Sequence, residues 1–218
     1  MTGIKICGIR DVATIRLCAD LKVDWVGFVF CENSPRYISP NDALHLHRCI
    51  PAHAEGGPAR VGLFVDADDA FITEVLKNTP LDVLQIYAPL ARSIEIQSRF
   101  DLPVWRGCGI ATRSDLPTNR DLAGYVIEAP RQKHDQHPGG HGRSFDWSLS
   151  KEWIPPTFWM LAGGLTPHNV QDAIQKSGAS AVDVSSGVEI RRGQKSAELI
   201  EKFVQNARKG LDLGQKVS

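Results

Sequence analysis

No apolar run in the 218-residue sequence approaches the roughly 18 residues that a membrane span requires. No basic-then-apolar leader precedes the first apolar segment, which begins at Ile4. A cytoplasmic protein with no membrane partner is therefore expected. An excess of one charge is also missing. Lys and Arg together number 25, as do Asp and Glu, so bulk electrostatics offers nothing to a nucleic acid. C-x-x-C does not occur. The five cysteines, at 7, 18, 31, 49 and 108, are odd in number and scattered. That argues against a disulfide framework or a zinc site and fits free thiols in a reducing compartment. Nor is there a G-x-G-x-x-G after the first strand-like segment, where the chain reads Cys7-Gly-Ile-Arg10. The usual dinucleotide fingerprint is thus excluded.

What is present is a regular alternation. Short apolar runs at Ile4–Cys7, Trp25–Phe30, Arg60–Val65, Val83–Ile86, Val104–Cys108, Tyr125–Ile127, Phe158–Ala162 and Ala181–Val184 read as strands. The continuous apolar character of Trp25–Phe30 suits a strand buried on both faces. Between them lie helical patterns: one capped by Asp11, then Asn41 to about Ile50 behind Ser39-Pro40, Asp68–Asn78, and Ala91–Phe100. A weak helix follows at Arg113–Leu122, a short one opens at Asp146, another spans Pro167–Lys176 behind Thr166, and the last runs from Ser196 to about Lys209. Eight strand-plus-helix units in a chain of this length predict an α/β protein, a single-domain (βα)8 (TIM) barrel over residues 1–210, with 211–218 as a tail. A doubly wound open sheet is the alternative. In a barrel the first and eighth strands are neighbours, so Cys7 would lie near whatever the eighth strand binds.

Two stretches stand out, Leu161-Ala-Gly-Gly-Leu-Thr-Pro-His-Asn-Val170 and Ala181-Val-Asp-Val-Ser-Ser-Gly-Val-Glu189. Each is a strand that stops at small residues. Backbone N–H groups at Gly163, Gly164, Ser185 and Ser186 would be left uncovered beside a helix start, which is a ready anion site. The bland alternative is a pair of ordinary turns that need glycine for positive φ. Cys7 ends the first strand and is either a base or nucleophile or a small buried hydrophobe. Cys18, Cys31, Cys49 and Cys108 read as inert thiols. Glu128 ends the sixth strand, where partial desolvation suits a carboxyl to donate a proton; a surface carboxylate is the alternative. Arg36, in the loop after the second strand, could grip a carboxylate with two parallel hydrogen bonds, or simply face solvent. Asp183, between two valines, needs a partner in the barrel. The polar stretch 129–144 holds His134, His137 and His141 at a spacing that fits no metal site, so no metal is expected.

Several motifs occur together and in order. They are Lys5-Ile-Cys-Gly-Ile9, Gly27-Phe-Val-Phe30 with Ser34-Pro-Arg-Tyr-Ile-Ser39, Val61-Gly-Leu-Phe-Val65, Gly139-Gly-His-Gly142 running into Phe145-Asp-Trp147, and the two stretches above. On these the chain resembles the phosphoribosylanthranilate isomerases of tryptophan biosynthesis over nearly its full length. The resemblance implies a (βα)8 barrel that performs an Amadori rearrangement on a small phosphorylated substrate, without metal or organic cofactor. It implies Cys7 as general base, Glu128 as general acid, Arg36 on the anthranilate carboxylate, and Gly163, Gly164, Ser185 and Ser186 on the phosphate. Monomer and homodimer both remain open. The chain departs from the pattern at three places. Glu128 stands where the family has Asp. Gln85-Ile-Tyr-Ala88 replaces Gln-Leu-His-Gly, and His141 stands where Thr or Ser is usual. A barrel acting on another sugar phosphate and a non-catalytic sugar-phosphate-binding protein are the rival expectations.

Overall fold

The computed structural model describes residues 3–130 and 144–215. Eight parallel strands close into a barrel in sequence order. They are β1 (Gly3–Cys7), β2 (Trp25–Val29), β3 (Ala59–Val65), β4 (Val83–Tyr87), β5 (Val104–Gly109), β6 (Gly124–Glu128), β7 (Phe158–Leu161) and β8 (Ala181–Val184). The ring closes where Ile6 of β1 pairs with Val184 of β8, which puts the first strand beside the last, as expected. Outside lie α1 (Val12–Asp20), α2 (Pro40–His47), α3 (Asp69–Asn78), α4 (Leu90–Phe100), α5 (Val170–Ser177) and α6 (Ala197–Gln215). The first three are capped as their sequences suggest: Asp11, Ser39 and Asp68 accept from the backbone N–H of Thr14, Asp42 and Phe71. Such caps contribute about 1 kcal/mol each.

Strand residues alternate between the barrel interior and the helices outside. Trp25, Val61, Val83, Trp105, Val126, Met160 and Ala181 form an inner cluster, separate from the larger shell packed under the helices. Toward the strand N-termini, Trp25 meets Trp105 edge-on at 5.4 Å, and Phe158 lies 5.6 Å and 4.9 Å from the two rings. This aromatic plug fills one end of the barrel. The same alternation turns Cys7, Tyr87, Glu128 and Asp183 inward at the other end.

The expected helix at Arg113–Leu122 is only a single 3-10 turn, Arg113–Asp115. Pro117 explains the stop. The residue before it, Leu116, sits at φ −63°, ψ 132°, the extended state that a following proline imposes. The short segment behind Asp146 is likewise one turn, Trp147–Ser150. Regular helix begins at Val170, after a turn through Pro167. There the Asn169 side chain, rather than the Thr166 hydroxyl, organises the entry, accepting from Thr166 N–H at 2.7 Å and donating to Gly164 O at 2.9 Å. Two further features were not foreseen. A small antiparallel hairpin, β9 (Glu189–Arg191) and β10 (Gln194–Lys195), follows β8. The last helix runs to Gln215, so the expected tail from 211 begins inside it. Ile200, Phe203, Val204, Ala207 and Leu211 are all buried, and their spacing is that of one continuous apolar stripe. The histidine-rich stretch, with Gly139, Gly140, His134, His137 and His141, falls outside the described residues.

Candidate active site

At the C-terminal end of the strands the barrel opens into a cleft of about 690 Å³, counting its mouth. Cys7, Arg36, Glu128, Gly163, Gly164, Ser185 and Ser186 all line it. The structure therefore gathers these seven candidate residues around one space. Cys31, read as inert, lines it too, as do Tyr87 and Asp183.

Cys7 reaches the cleft because its neighbour lacks a side chain. A Cβ on Gly27 would lie 2.8 Å from the Cys7 sulfur. Behind the thiol, Lys5 Nζ lies 3.1 Å from Asp183 Oδ2, both groups being buried, and its charge also acts on the Cys7 thiol. So Asp183 has the partner that its position demanded. Burial raises the Cys7 pKa above the ordinary thiol value, with the charges of Lys5 and Lys195 pulling the other way. Burial wins, so the thiol is harder to ionise than an ordinary one, and the two cations only limit the rise.

The candidate anion cradle is built from two loops pressed together. Gly163 and Gly164 both take left-handed backbone, at φ 79° and 66°, which a side chain would strain. Gly187 is not left-handed, but a Cβ on it would overlap the carbonyl oxygen of Leu165. Among the described residues, the backbone N–H groups of Gly163, Gly164, Ser185 and Ser186 donate to no backbone carbonyl. Gly187→Ala is expected to force the loops apart, costing roughly 1–3 kcal/mol of stability and weakening binding of a sugar phosphate. Thermal unfolding with and without ligand measures both; an unchanged variant would mean that the contact between the loops does not shape the cradle.

Arg36 differs from its expected setting. It is buried, at 4% exposure, and its fork is already engaged: Nε and Nη2 donate to the two carboxylate oxygens of Glu189 at 2.7 and 3.0 Å. An arginine has five N–H donors, so the Nη1–Nη2 edge can still meet a second carboxylate. Glu189 also accepts from Lys195 Nζ at 2.9 Å. Lys195 in turn donates to Ser185 O at 2.9 Å, and the Ser185 hydroxyl donates to Cys7 O at 3.0 Å. One chain of polar contacts therefore joins Arg36, the β9–β10 hairpin, the cradle and the thiol strand. Glu189 and Lys195 were not recognised from sequence, because the hairpin that carries them was not.

Burial pushes the Glu189 carboxyl up, but hydrogen bonds and charge from Arg36 and Lys195 outweigh it and hold its pKa below the ordinary carboxylate value. A depressed folded pKa contributes stability that is complete above the unfolded carboxylate range and is lost as pH falls through the folded value. Glu189→Gln leaves two buried cations without their counter-ion and is expected to cost roughly 3 kcal/mol. Denaturant unfolding at neutral pH checks this, and the difference from wild type should shrink toward pH 3. A loss below half a kcal/mol would mean that the network adds little to the fold.

Fold and cleft together define a (βα)8 barrel with a thiol, a carboxyl, a guanidinium and two small-residue loops gathered at one mouth. A family model described as N-(5'phosphoribosyl)anthranilate (PRA) isomerase matches residues 4–206. The N-(5'-phosphoribosyl)anthranilate isomerase of Acidiphilium cryptum is 44% identical over 205 residues, covering 94% of this chain and 97% of that one. The solved phosphoribosyl anthranilate isomerase of Thermotoga maritima superposes with a TM-score of 0.83 at 32% identity, over 96% of this chain and all of its own. A further isomerase structure, holding reduced 1-(o-carboxyphenylamino)-1-deoxyribulose 5-phosphate, gives 0.79 at 31% identity, over 96% of this chain and 100% of that one. The chain belongs to the N-(5'-phosphoribosyl)anthranilate isomerase family. No helix among the described residues is long and apolar enough to cross a membrane.

Proposed function

We propose that the chain carries out its family's reaction, the Amadori rearrangement of N-(5'-phosphoribosyl)anthranilate to 1-(2-carboxyphenylamino)-1-deoxyribulose 5-phosphate, through Cys7 as base and Glu128 as acid. The rearrangement balances within the substrate. Glu128 gives a proton to the ribose ring oxygen, the C1'–O bond breaks, and the anthranilate nitrogen lone pair forms a C=N bond to C1'. Cys7, as thiolate, then takes the proton from C2', leaving an enolamine. Reprotonation at C1' and collapse of the enol give the ketone. C1' is reduced and C2' oxidised, with no external electron carrier needed. A proton donor and a proton acceptor on different sides of the sugar suffice.

The ends of the ligand follow the chemistry of the walls. The phosphate suits the amide groups of Gly163, Gly164, Ser185 and Ser186, and the anthranilate carboxylate suits the free edge of Arg36. The observation that carries this reading is the convergence of thiol, carboxyl, guanidinium and cradle on one cleft. Expression in a tryptophan-requiring strain that lacks the isomerase tests it. Growth without tryptophan is the expected result. A folded, expressed protein that fails to support growth contradicts the reading. If that protein still binds a sugar phosphate, a binding role replaces it.

A further inference from the structure

Two of the three departures from the family pattern touch one another. Tyr87 ends β4 and Glu128 ends β6, with β5 between them. Tyrosine can cross that gap because β5 has Gly107 there. A Cβ on Gly107 would overlap Cε1 of the Tyr87 ring and lie 2.7 Å from Cδ1 and Cζ. The ring thus occupies the space of a missing side chain. Tyr87 is 9% exposed and Glu128 6%, so both groups act largely away from water. The phenol has one proton to give. It accepts from the Gln85 amide, Nε2 to Oη, at 3.2 Å in the buried interior, and the Glu128 carboxyl lies near enough to act on the phenol as a hydrogen-bond acceptor. The direction follows: Gln85 N–H to the phenol oxygen, phenol O–H to Glu128. A chain of this kind polarises each member in turn.

We infer that Tyr87 is a positioning residue for Glu128, a side chain that fixes the carboxyl and steadies the charge left on it when its proton goes to the ligand. This rests on the assignment of Glu128 as the acid. Glu128 itself lines the cleft, so its carboxyl is within reach of a ligand bound there. The donor bond strengthens as Glu128 ionises, because a bond to a charged acceptor is roughly twice as strong as one to a neutral acceptor. The benefit therefore falls on the proton-transfer step rather than on binding. Burial, together with the nearby Glu128 charge, holds the phenol well above its ordinary pKa, so Tyr87 stays a neutral donor at working pH. The longer Glu128 and the longer Tyr87 then form one unit rather than two independent losses.

The test is a double-mutant cycle with Tyr87→Phe and Glu128→Gln, read as kcat and KM for N-(5'-phosphoribosyl)anthranilate. Tyr87→Phe keeps the ring over Gly107 and removes only the hydroxyl. Its kcat is expected to fall about tenfold or more, by the loss of one charge-assisted hydrogen bond, with KM within threefold and unfolding temperature little changed. In the Glu128→Gln background the same substitution should cost less than twofold, since no proton donor remains to be positioned. An equal fold-loss in both backgrounds, or no loss in wild type, overturns the proposal. If Glu128→Gln alone keeps wild-type kcat, the acid assignment fails and this inference with it, whereas an impaired Glu128→Gln with an additive Tyr87→Phe defeats the positioning role alone. A variant with Gly107→Ala supplies an independent displacement of the ring. It should lower kcat as Tyr87→Phe does, without removing any polar atom from the cleft; an undiminished kcat would contradict the placement of Tyr87 over Gly107.

Discussion

Replacing Cys7 by alanine is expected to lower kcat on N-(5'-phosphoribosyl)anthranilate by roughly 10²–10⁴-fold, the range for a lost general base. Affinity for a sugar phosphate should stay within a few-fold, because the thiol contributes nothing to the cradle. The fold should tolerate the change. Cys7 is buried, but alanine keeps its β-carbon and removes only the sulfur that packs over Gly27. The pH dependence goes the same way. Burial raises the thiol pKa, so the thiolate is the minor form at neutral pH. The base works only when ionised, so kcat/KM in wild type should climb with pH through the neutral range and level off only above the ordinary thiol pKa, reporting the free enzyme. Lys5 opposes the burial. Lys5→Met combined with Asp183→Asn, which removes both members of the pair, should move this rise to higher pH. A Cys7→Ala enzyme of normal rate, or a wild-type profile flat from pH 6 to 9, would remove Cys7 from the chemistry.

Glu128→Gln should carry the second large effect. The amide keeps the shape and can still accept from Tyr87, but it has no proton to give. A loss in kcat of roughly 10²–10³-fold is expected, within the usual range for general acid catalysis, with KM changed little. Steady-state kinetics and a binding titration with a product analogue separate the two. Glutamine therefore tests the proton itself, whereas alanine would also open a void between Tyr87 and the cleft. Wild-type kcat in Glu128→Gln would transfer the acid role to another group.

The barrel was legible in the sequence because its signals are local. Each strand is a short apolar run closed by a loop residue, and caps such as Asp11 and Ser39-Pro40 mark helix starts that the structure places where they were read. The boundaries that slipped did so where one residue overrides a periodic pattern. Pro117 forces Leu116 out of helical backbone, and the stripe that carries α6 past Lys209 needs the packing of Leu211 to be recognised. The mouth of the cleft was legible for a different reason. Strand ends in a closed barrel must converge, so residues far apart in sequence, such as Cys7 and Ser185, could be placed together from the strand count alone.

Pairings across strands were not legible. Lys5 between Ile4 and Ile6 carries the same signal that marked Asp183, a charge inside a buried strand, and reading both would have suggested their pairing, since Lys5 lies opposite Asp183 in the register of β1 and β8. Arg36 was read for its free fork, yet the fork holds Glu189, because the hairpin that delivers this carboxylate is only seven residues of weak pattern. Tyr87 and Glu128 looked like separate departures. Their contact depends on Gly107 in the strand between them, and the absence of a side chain gives no sequence signal of what crosses it.

The most direct test of the account is the turnover of N-(5'-phosphoribosyl)anthranilate by the purified protein, followed as loss of substrate fluorescence, with wild type and Cys7→Ala side by side. Rapid decay is expected with wild type and a rate at least a hundredfold lower with Cys7→Ala, both proteins being folded and able to bind a sugar phosphate. Decay at the uncatalysed rate with folded wild type, or equal decay with both, would contradict it.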